Sequence, residues 1–470
     1  MTFQQSPSDT DTTSDNYRET QTFLLLCPTH RDDRELALIG GYRRRFLRHE
    51  YASIALEEMV SQYGSVLPSF ADPLAEIETI LTKLSGTAIA GVISTDDYPG
   101  SALACAVAQH LNLPGASPAA NLLCQHKYYA RRLQHAVVPE AVPSFARVDV
   151  SERMAMPSPI ALPAFVKPVK SFFSIGAQRV DSERQLTSMK RHWASRRAFF
   201  RPFERLFEYY VGLPMESGYL LAESLLSGRQ CTLEGYAFGG DVQVVGIVDS
   251  VMFPGTNVFE RFEYPSLLPG PVQERMATIA RTFMASLGYR DAMFNIEFIY
   301  DPVADTVSIV EVNPRMASQF ADLYEKVDGF NTYAVLLDLA AGREPRLSRR
   351  EGQHRTAASF VLRSFEDMHV VALPSVHNLE RLSLRHPDAR IEILATAGSA
   401  LSLEMQDGQS FRYGVVNVGA RDRQELLEKF EEFRRDLGFV FLPTSSDRSD
   451  LPLRVSRLEH ELRIHEAVSE

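Results

Sequence analysis

The chain has 470 residues, 45% apolar and 23% charged, an ordinary globular composition spread over more length than one hydrophobic core usually serves. Its 49 basic and 60 acidic side chains leave a formal charge of -11, which repels phosphate backbones and argues against a nucleic-acid partner. Four cysteines, Cys27, Cys105, Cys124 and Cys231, lie far apart without CxxC spacing; this excludes a secreted disulfide scaffold and predicts buried thiols in a reducing compartment.

Residues 1–20 are polar and lack both a basic n-region and an apolar h-region, so a disordered leader is expected rather than a signal peptide. The sequence has no apolar run long enough for a transmembrane helix, and the expected location is cytoplasmic, with no membrane partner. The runs "TFLLLC" from Thr22 and "AIAGVIS" from Ala88 are short, apolar and bounded by turn signals, and helical spacing follows them. The alternation predicts a parallel α/β unit over residues 21–115, which would present ligands at the C-terminal ends of its strands.

"AANLLCQHKYYARRLQHA" is predicted as one helix, and "VPSFARV" as an extended piece. "LPAFVKPVKSFFSIGAQRV" opens the next unit, and "YLLAESLLSGRQCTLEGYAFGGDVQVVGIVDSV" holds three predicted strands split by "SGR" and "GGD", which implies a small antiparallel sheet with helices. From Pro271 a helix leads to "AMFNIEFIYD", the turn "PVADT" and "VSIVEVNPRMAS". Beyond residue 345, "RTAASFVLRSF", "RIEILATAGSALSL" and "FRYGVVNVGA" are predicted strands, and "RDRQELLEKFEEFRRDLG" an amphipathic helix. The tail segment "HELRIH" has one residue too many between its histidines for a zinc protease motif and is expected to be helical.

The strand "VSIVEVNPRMAS" carries Glu311, Asn313 and Arg315 on alternate positions of an apolar run. Residues two apart share a face, so Glu311 and Asn313 point one way, as do Asn295 and Glu297 on the preceding strand, with Phe294, Ile296 and Phe298 opposite. Carboxylates gathered in a buried place need a cation between them, and magnesium suits oxygen ligands that are shared with phosphates. Setting Glu297 against Glu311 requires an odd-length turn or a compensating bulge, because a one-residue slip would send the acids to opposite faces.

"FNIEFIYD" followed by "IVEVNPRMAS" resembles the metal-binding signature of the ATP-grasp superfamily, with the resemblance running from about residue 88 to 342 and more weakly beyond. It implies an α/β chain with an N-terminal parallel α/β domain (21–115), an ATP-grasp domain of two lobes (116–345, the small lobe about 160–235), and a C-terminal α+β lid-like region (346–470). It also implies ATP and two magnesium ions, replaceable by manganese, held by Glu297, Glu311 and Asn313, with Arg315 assisting phosphoryl transfer. Lys127 matches a phosphate-binding lysine, Lys167 in "FVKPV" a second nucleotide lysine, and Glu223 in "YLLAES" the hinge acid beside the nucleoside.

Two departures from the pattern stand out: Gln230 occupies an acidic place while Glu234 is retained, and the flap after Lys167 reads "VKSFFSIGA" with Gly176 as its one glycine. Either Ser171, Ser174 and their amides close over the phosphates, or the flap takes another conformation with an apolar substrate contact. The resemblance points to a carboxylate-amine ligase that forms an amide through an acyl phosphate, with amino acids or short peptides as substrates and a homodimer as the expected assembly. Alternatives are a biotin carboxylase-like enzyme, for which no carrier segment is evident, and an ATP-binding sensor without turnover. The segment 249–269 is expected to shape an acceptor pocket, with Glu260 and Arg261 as contacts.

Overall fold

Phe23, Leu24, Leu25 and Leu26 are all buried, as a central parallel strand covered on both faces requires. They form β1 (Gln21–Leu26), which lies between β2 (Arg44–His49) and β3 (Gly91–Ile93) in a parallel sheet of order β2-β1-β3. Strand β2, "RRFLRH", escapes prediction because it is a half-buried edge strand, and charge on an edge discourages pairing with other chains. The computed structural model describes residues 20–40, 43–51, 72–150, 156–171, 176–194, 201–215, 218–403 and 410–444. The leader, Ser174 and the "HELRIH" tail lie outside the described residues.

The predicted single helix after "LPGASP" is two helices, Pro118–Gln125 and Lys127–Val137. The break comes at His126, whose backbone is extended and whose side chain accepts from the Tyr129 amide, so it caps the second helix. The Lys127 amide then bonds to the Val169 carbonyl at 2.8 Å rather than continuing the first helix. Tertiary hydrogen bonds thus override a sequence with neither Gly nor Pro at the junction.

A second sheet has the order β4-β7-β5-β6, with β4 (Phe145–Asp149), β5 (Ala164–Pro168), β6 (Gln178–Val180) and β7 (Tyr219–Ser224), and every pairing is antiparallel. A third, of eight strands, contains β8 (Arg229–Phe238), β9 (Asp241–Met252), β10 (Phe259–Tyr264), β11 (Ala292–Asp301), β12 (Thr306–Asn313) and β13 (Thr356–Ser364). Strands β14 (Met368–Ala372) and β17 (Val440–Pro443) pair separately, while β15 (Arg390–Ile393) and β16 (Phe411–Ala420) complete the large sheet in the order β12-β11-β8-β9-β10-β13-β16-β15.

The three strands predicted for one small sheet are therefore divided: β7 belongs to the four-stranded sheet, and β8 and β9 to the large one. The crossing is made at 225–228, where Gly228 takes φ 128° and packs so closely on β11 that a Cβ would lie 2.1 Å from the Tyr300 carbonyl oxygen. The C-terminal strands also continue the large sheet, through β10 pairing with β13. Phe294, Ile296 and Phe298 are fully buried beneath the helix Gly270–Ser286, on the predicted apolar face of β11. Of the four thiols, Cys124 and Cys231 are buried, while Cys27 and Cys105 are only half-buried. Among the described residues no helix is long and apolar enough to cross a membrane.

Candidate functional site

Strand β12 pairs with β11 from Asp301 opposite Thr306, which leaves four residues, 302–305, in the turn. An even turn alone would turn the two acids to opposite faces. A bulge between the pairs Phe298 with Ile309 and Glu297 with Glu311 leaves Val310 unpaired and restores the shared face. The sequence carries the parity switch: the buried positions run Val307, Ile309 and then Val312.

The bulge also exposes carbonyls, and two cations use them. Arg131 Nη2 donates to the Ile309 and Val310 carbonyls, at 2.8 Å each, and Lys167 Nζ donates to the Val310 carbonyl at 3.2 Å. Arg131 Nε meets Glu223 Oε1 at 2.5 Å and its Nη1 donates to Gln134 Oε1, while Lys167 Nζ meets Glu223 Oε2 at 2.8 Å. Both oxygens of Glu223 are thus engaged. Burial pushes the Glu223 carboxyl up, but Arg131 and Lys167 outweigh it and hold it below the ordinary carboxylate range.

Lys127 begins its helix with Nζ 2.9 Å from Glu311 Oε1 and within 3.2 Å of the Ser171 carbonyl. Glu297 accepts from Gln230 Nε2 at 2.9 Å. Asn313 Nδ2 donates to Asn295 Oδ1, and Asn295 Nδ2 to the Arg315 carbonyl, both at 3.0 Å, so the amide nitrogen of Asn313 is occupied and its oxygen is the atom left for a ligand. Arg315 Nη1 donates to the Met316 carbonyl at 3.2 Å, and its Nε stands 3.6 Å from Asp97 Oδ1. The structure therefore brings Lys127, Lys167, Glu223, Glu297, Glu311, Asn313 and Arg315 together around one bulge.

Arg261 is placed elsewhere. Its partners are Glu263 at 2.5 Å and Glu260 at 2.6 Å, and its cross-strand neighbour Phe360 stacks on Phe430 of the helix Arg423–Asp436, so it shares that helix-covered face. Glu260 and Arg261, expected as contacts of an acceptor pocket, pair with each other, and Arg261 pairs also with Glu263.

Three charged residues of the site were not singled out from sequence. Arg131 lies one helical turn after Lys127, a spacing that puts both on one face and could have flagged it. Lys170, 2% exposed, donates to Gln125 Oε1 at 2.7 Å and stands over the rings of Tyr98 and Phe203. Asp97 follows β3 at the end where a parallel sheet presents ligands. Arg131→Met leaves the buried Glu223 carboxylate with Lys167 as its remaining charged partner, so we expect a loss of roughly 1–3 kcal/mol in unfolding free energy, measured by denaturant titration.

Burial, and then the neighbouring Glu311, push the Glu297 carboxyl up. Burial likewise raises Glu234 and Asp96 to about 7. Acids raised in this way hold protons in the folded state that the unfolded chain has released, so stability falls as pH climbs from the ordinary carboxylate range through neutrality. The metal-free protein should melt several degrees higher at pH 6 than at pH 8 in buffers of equal ionic strength, and no difference would contradict the buried-acid account.

Two opposed carboxylates and one amide oxygen are too few for a full protein cage, and among the described residues no group of three His, Cys, Asp or Glu could hold a metal. That donor set fits magnesium, which keeps several waters and shares phosphate oxygens.

No family model matches the sequence. In structure, the chain is similar to an L-amino acid ligase from Bacillus licheniformis (TM-score 0.64, 15% identity, covering 90% of this chain and 99% of that one). It is similar as well to a phosphoribosylglycinamide synthetase from Anaerococcus prevotii (0.60, 12%, covering 90% and 100%) and to a biotin carboxylase from Campylobacter jejuni in a β-γ-ATP complex (0.59, 15%, covering 90% and 92%). With the parallel N-terminal sheet, the four-stranded sheet and the large antiparallel sheet meeting at the Glu297–Glu311 hairpin, these likenesses establish that the chain has the ATP-grasp fold.

Proposed function

We propose that the protein is an ATP-dependent, ADP-forming carboxylate-amine ligase. The observation that carries this reading is the bulge at Val310, which turns Glu297 and Glu311 onto one face and within reach of Lys127, Lys167 and Arg315. In this reading Glu297, Glu311 and Asn313 hold magnesium, which neutralises phosphate charge when bound, and Lys127 and Lys167 bind the nucleotide phosphates. Glu223 holds Lys167 extended toward the bulge, Ser174 belongs to the flap, and Arg315 grips the anion formed at the carboxylate.

ATP phosphorylates the substrate carboxylate, an amine displaces phosphate, and an amide forms with release of ADP and phosphate. The likeness to an L-amino acid ligase supports amino acids as substrates. The test is a pooled screen of amino acids and small carboxylates for phosphate release, followed by mass spectrometry of the product. Amide product with ADP supports the reading. Release driven by bicarbonate plus biotin would replace it with carboxylation, and ATP binding without release in any pool would replace it with a sensor.

A further inference from the structure

Strand β8 supplies no residue assigned to nucleotide or metal, yet it lies directly against β11, which carries Glu297. Their antiparallel ladder runs from Ala292 opposite Ala237 to Tyr300 opposite Arg229, and sets Thr232 across from Glu297. Gln230 and Glu234, two residues to either side of Thr232, share its side of the sheet. The close approach of Gly228 to the Tyr300 carbonyl fixes the start of β8 against β11, and with it the place from which the Gln230 side chain leaves.

Both ends of this row support the site. At one end, Glu234 Oε1 accepts from the Ala317 amide at 2.7 Å, two residues beyond Arg315. At the other, Gln230 Nε2 donates to Glu297 Oε2 at 2.9 Å. A glutamate carboxylate turns easily about its last torsion, so an acid that binds metal needs a second contact to keep one oxygen aimed at the ion. Glu311 has such a contact in Lys127, 2.9 Å from its Oε1. Glu297 has it in Gln230, which engages Oε2 and leaves Oε1 to meet a cation.

That the donor is an amide also matters for charge. A lysine at 230 would hold Glu297 but cancel one of the two negative charges that attract magnesium, and an acid would repel Glu297 and donate nothing. Glutamine supplies the donor and no charge.

We infer that Gln230 is a positioning residue for the metal: it locks the Glu297 carboxylate so that Oε1 is presented to magnesium on the face shared with Glu311. The inference rests on the assignment of Glu297 to magnesium in the reading above and deepens it, by adding a residue of β8 that sets affinity for the ion without touching it.

The test follows manganese binding by electron paramagnetic resonance, with a slowly hydrolysed ATP analogue present, in wild type and in Gln230→Met, which keeps the length of the side chain and removes its donor. Manganese affinity falls roughly 10- to 100-fold. The magnesium KM for phosphate release rises by a similar factor, while kcat at saturating magnesium stays within about threefold of wild type. A strand merely loosened by the substitution would lower the melting temperature and kcat without this split. Gln230→Lys, which keeps a donor but adds a positive charge, loses at least as much manganese affinity.

Manganese affinity within about twofold of wild type in either variant overturns the inference and leaves the ligase reading standing. Manganese binding that depends on Gln230, with no amide formed in any pool, keeps the inference and overturns the ligase reading. A wild-type protein that binds no manganese beside the ATP analogue overturns both.

Discussion

Arg315→Lys lowers kcat/KM for ATP-dependent phosphate release by about 100-fold while the melting temperature stays within a degree or two of wild type. The rate effect follows from shape as much as charge. A guanidinium presents a planar fork to a phosphoryl or carboxylate group, whereas an ammonium is a point donor, and one lost preorganised contact costs roughly 3 kcal/mol of transition-state stabilisation. The stability effect follows from what Arg315 does in the folded protein. It is 23% exposed, donates one hydrogen bond to a carbonyl and forms a loose ion pair with Asp97 at 3.6 Å, which a lysine can keep. A lysine variant that keeps full activity would remove Arg315 from the chemistry. One that unfolds would show its role to be architectural.

Glu297→Gln produces opposite signs in two measurements. Activity and manganese uptake, followed by electron paramagnetic resonance in the presence of a slowly hydrolysed ATP analogue, fall by about 1000-fold, because half of the carboxylate pair is gone. Stability of the metal-free protein at pH 8 increases, because the side chain that burial and Glu311 most strongly oppose as an anion becomes neutral, and Gln230 keeps its hydrogen-bond acceptor. Glu311→Gln should lose activity equally but gain no stability, since it strands the ammonium of Lys127. A Glu297→Gln protein that melts lower than wild type at pH 8 would contradict the electrostatic account of the pair.

The hairpin was legible in the sequence because it combines two local signals, alternation and charge in an apolar strand. Even the bulge was constrained, since the turn "PVADT" and the need for a common acid face left few geometries. Lys170 and Asp97 were not legible, because each owes its meaning to partners far along the chain, Gln125 and Arg315, and Arg131, though its spacing from Lys127 was a signal, takes its role from the distant Ile309 carbonyl. The helix break at His126 was hidden for a related reason, as the carbonyl that takes the Lys127 amide belongs to Val169, just beyond β5. Strand β2 was missed because a charged edge strand lacks the apolar run by which its neighbours are recognised. The division of β7 from β8 hinged on a close approach at Gly228, which a turn signal alone does not distinguish from a hairpin.

The same separation of β7 from β8 says which part of the molecule is less firmly tied. Among the described residues the four-stranded layer shares no ladder with its larger neighbour, so pulling the two apart breaks side-chain links such as Lys167 to the Val310 carbonyl and Arg131 to Glu223, and the backbone bond from the Lys127 amide to the Val169 carbonyl, but no strand pairing. Detaching the C-terminal strands would instead unzip β10 from β13 along four residue pairs. Residues 225–228 therefore join the two layers without strand pairing, whereas the C-terminal strands are tied into the large sheet.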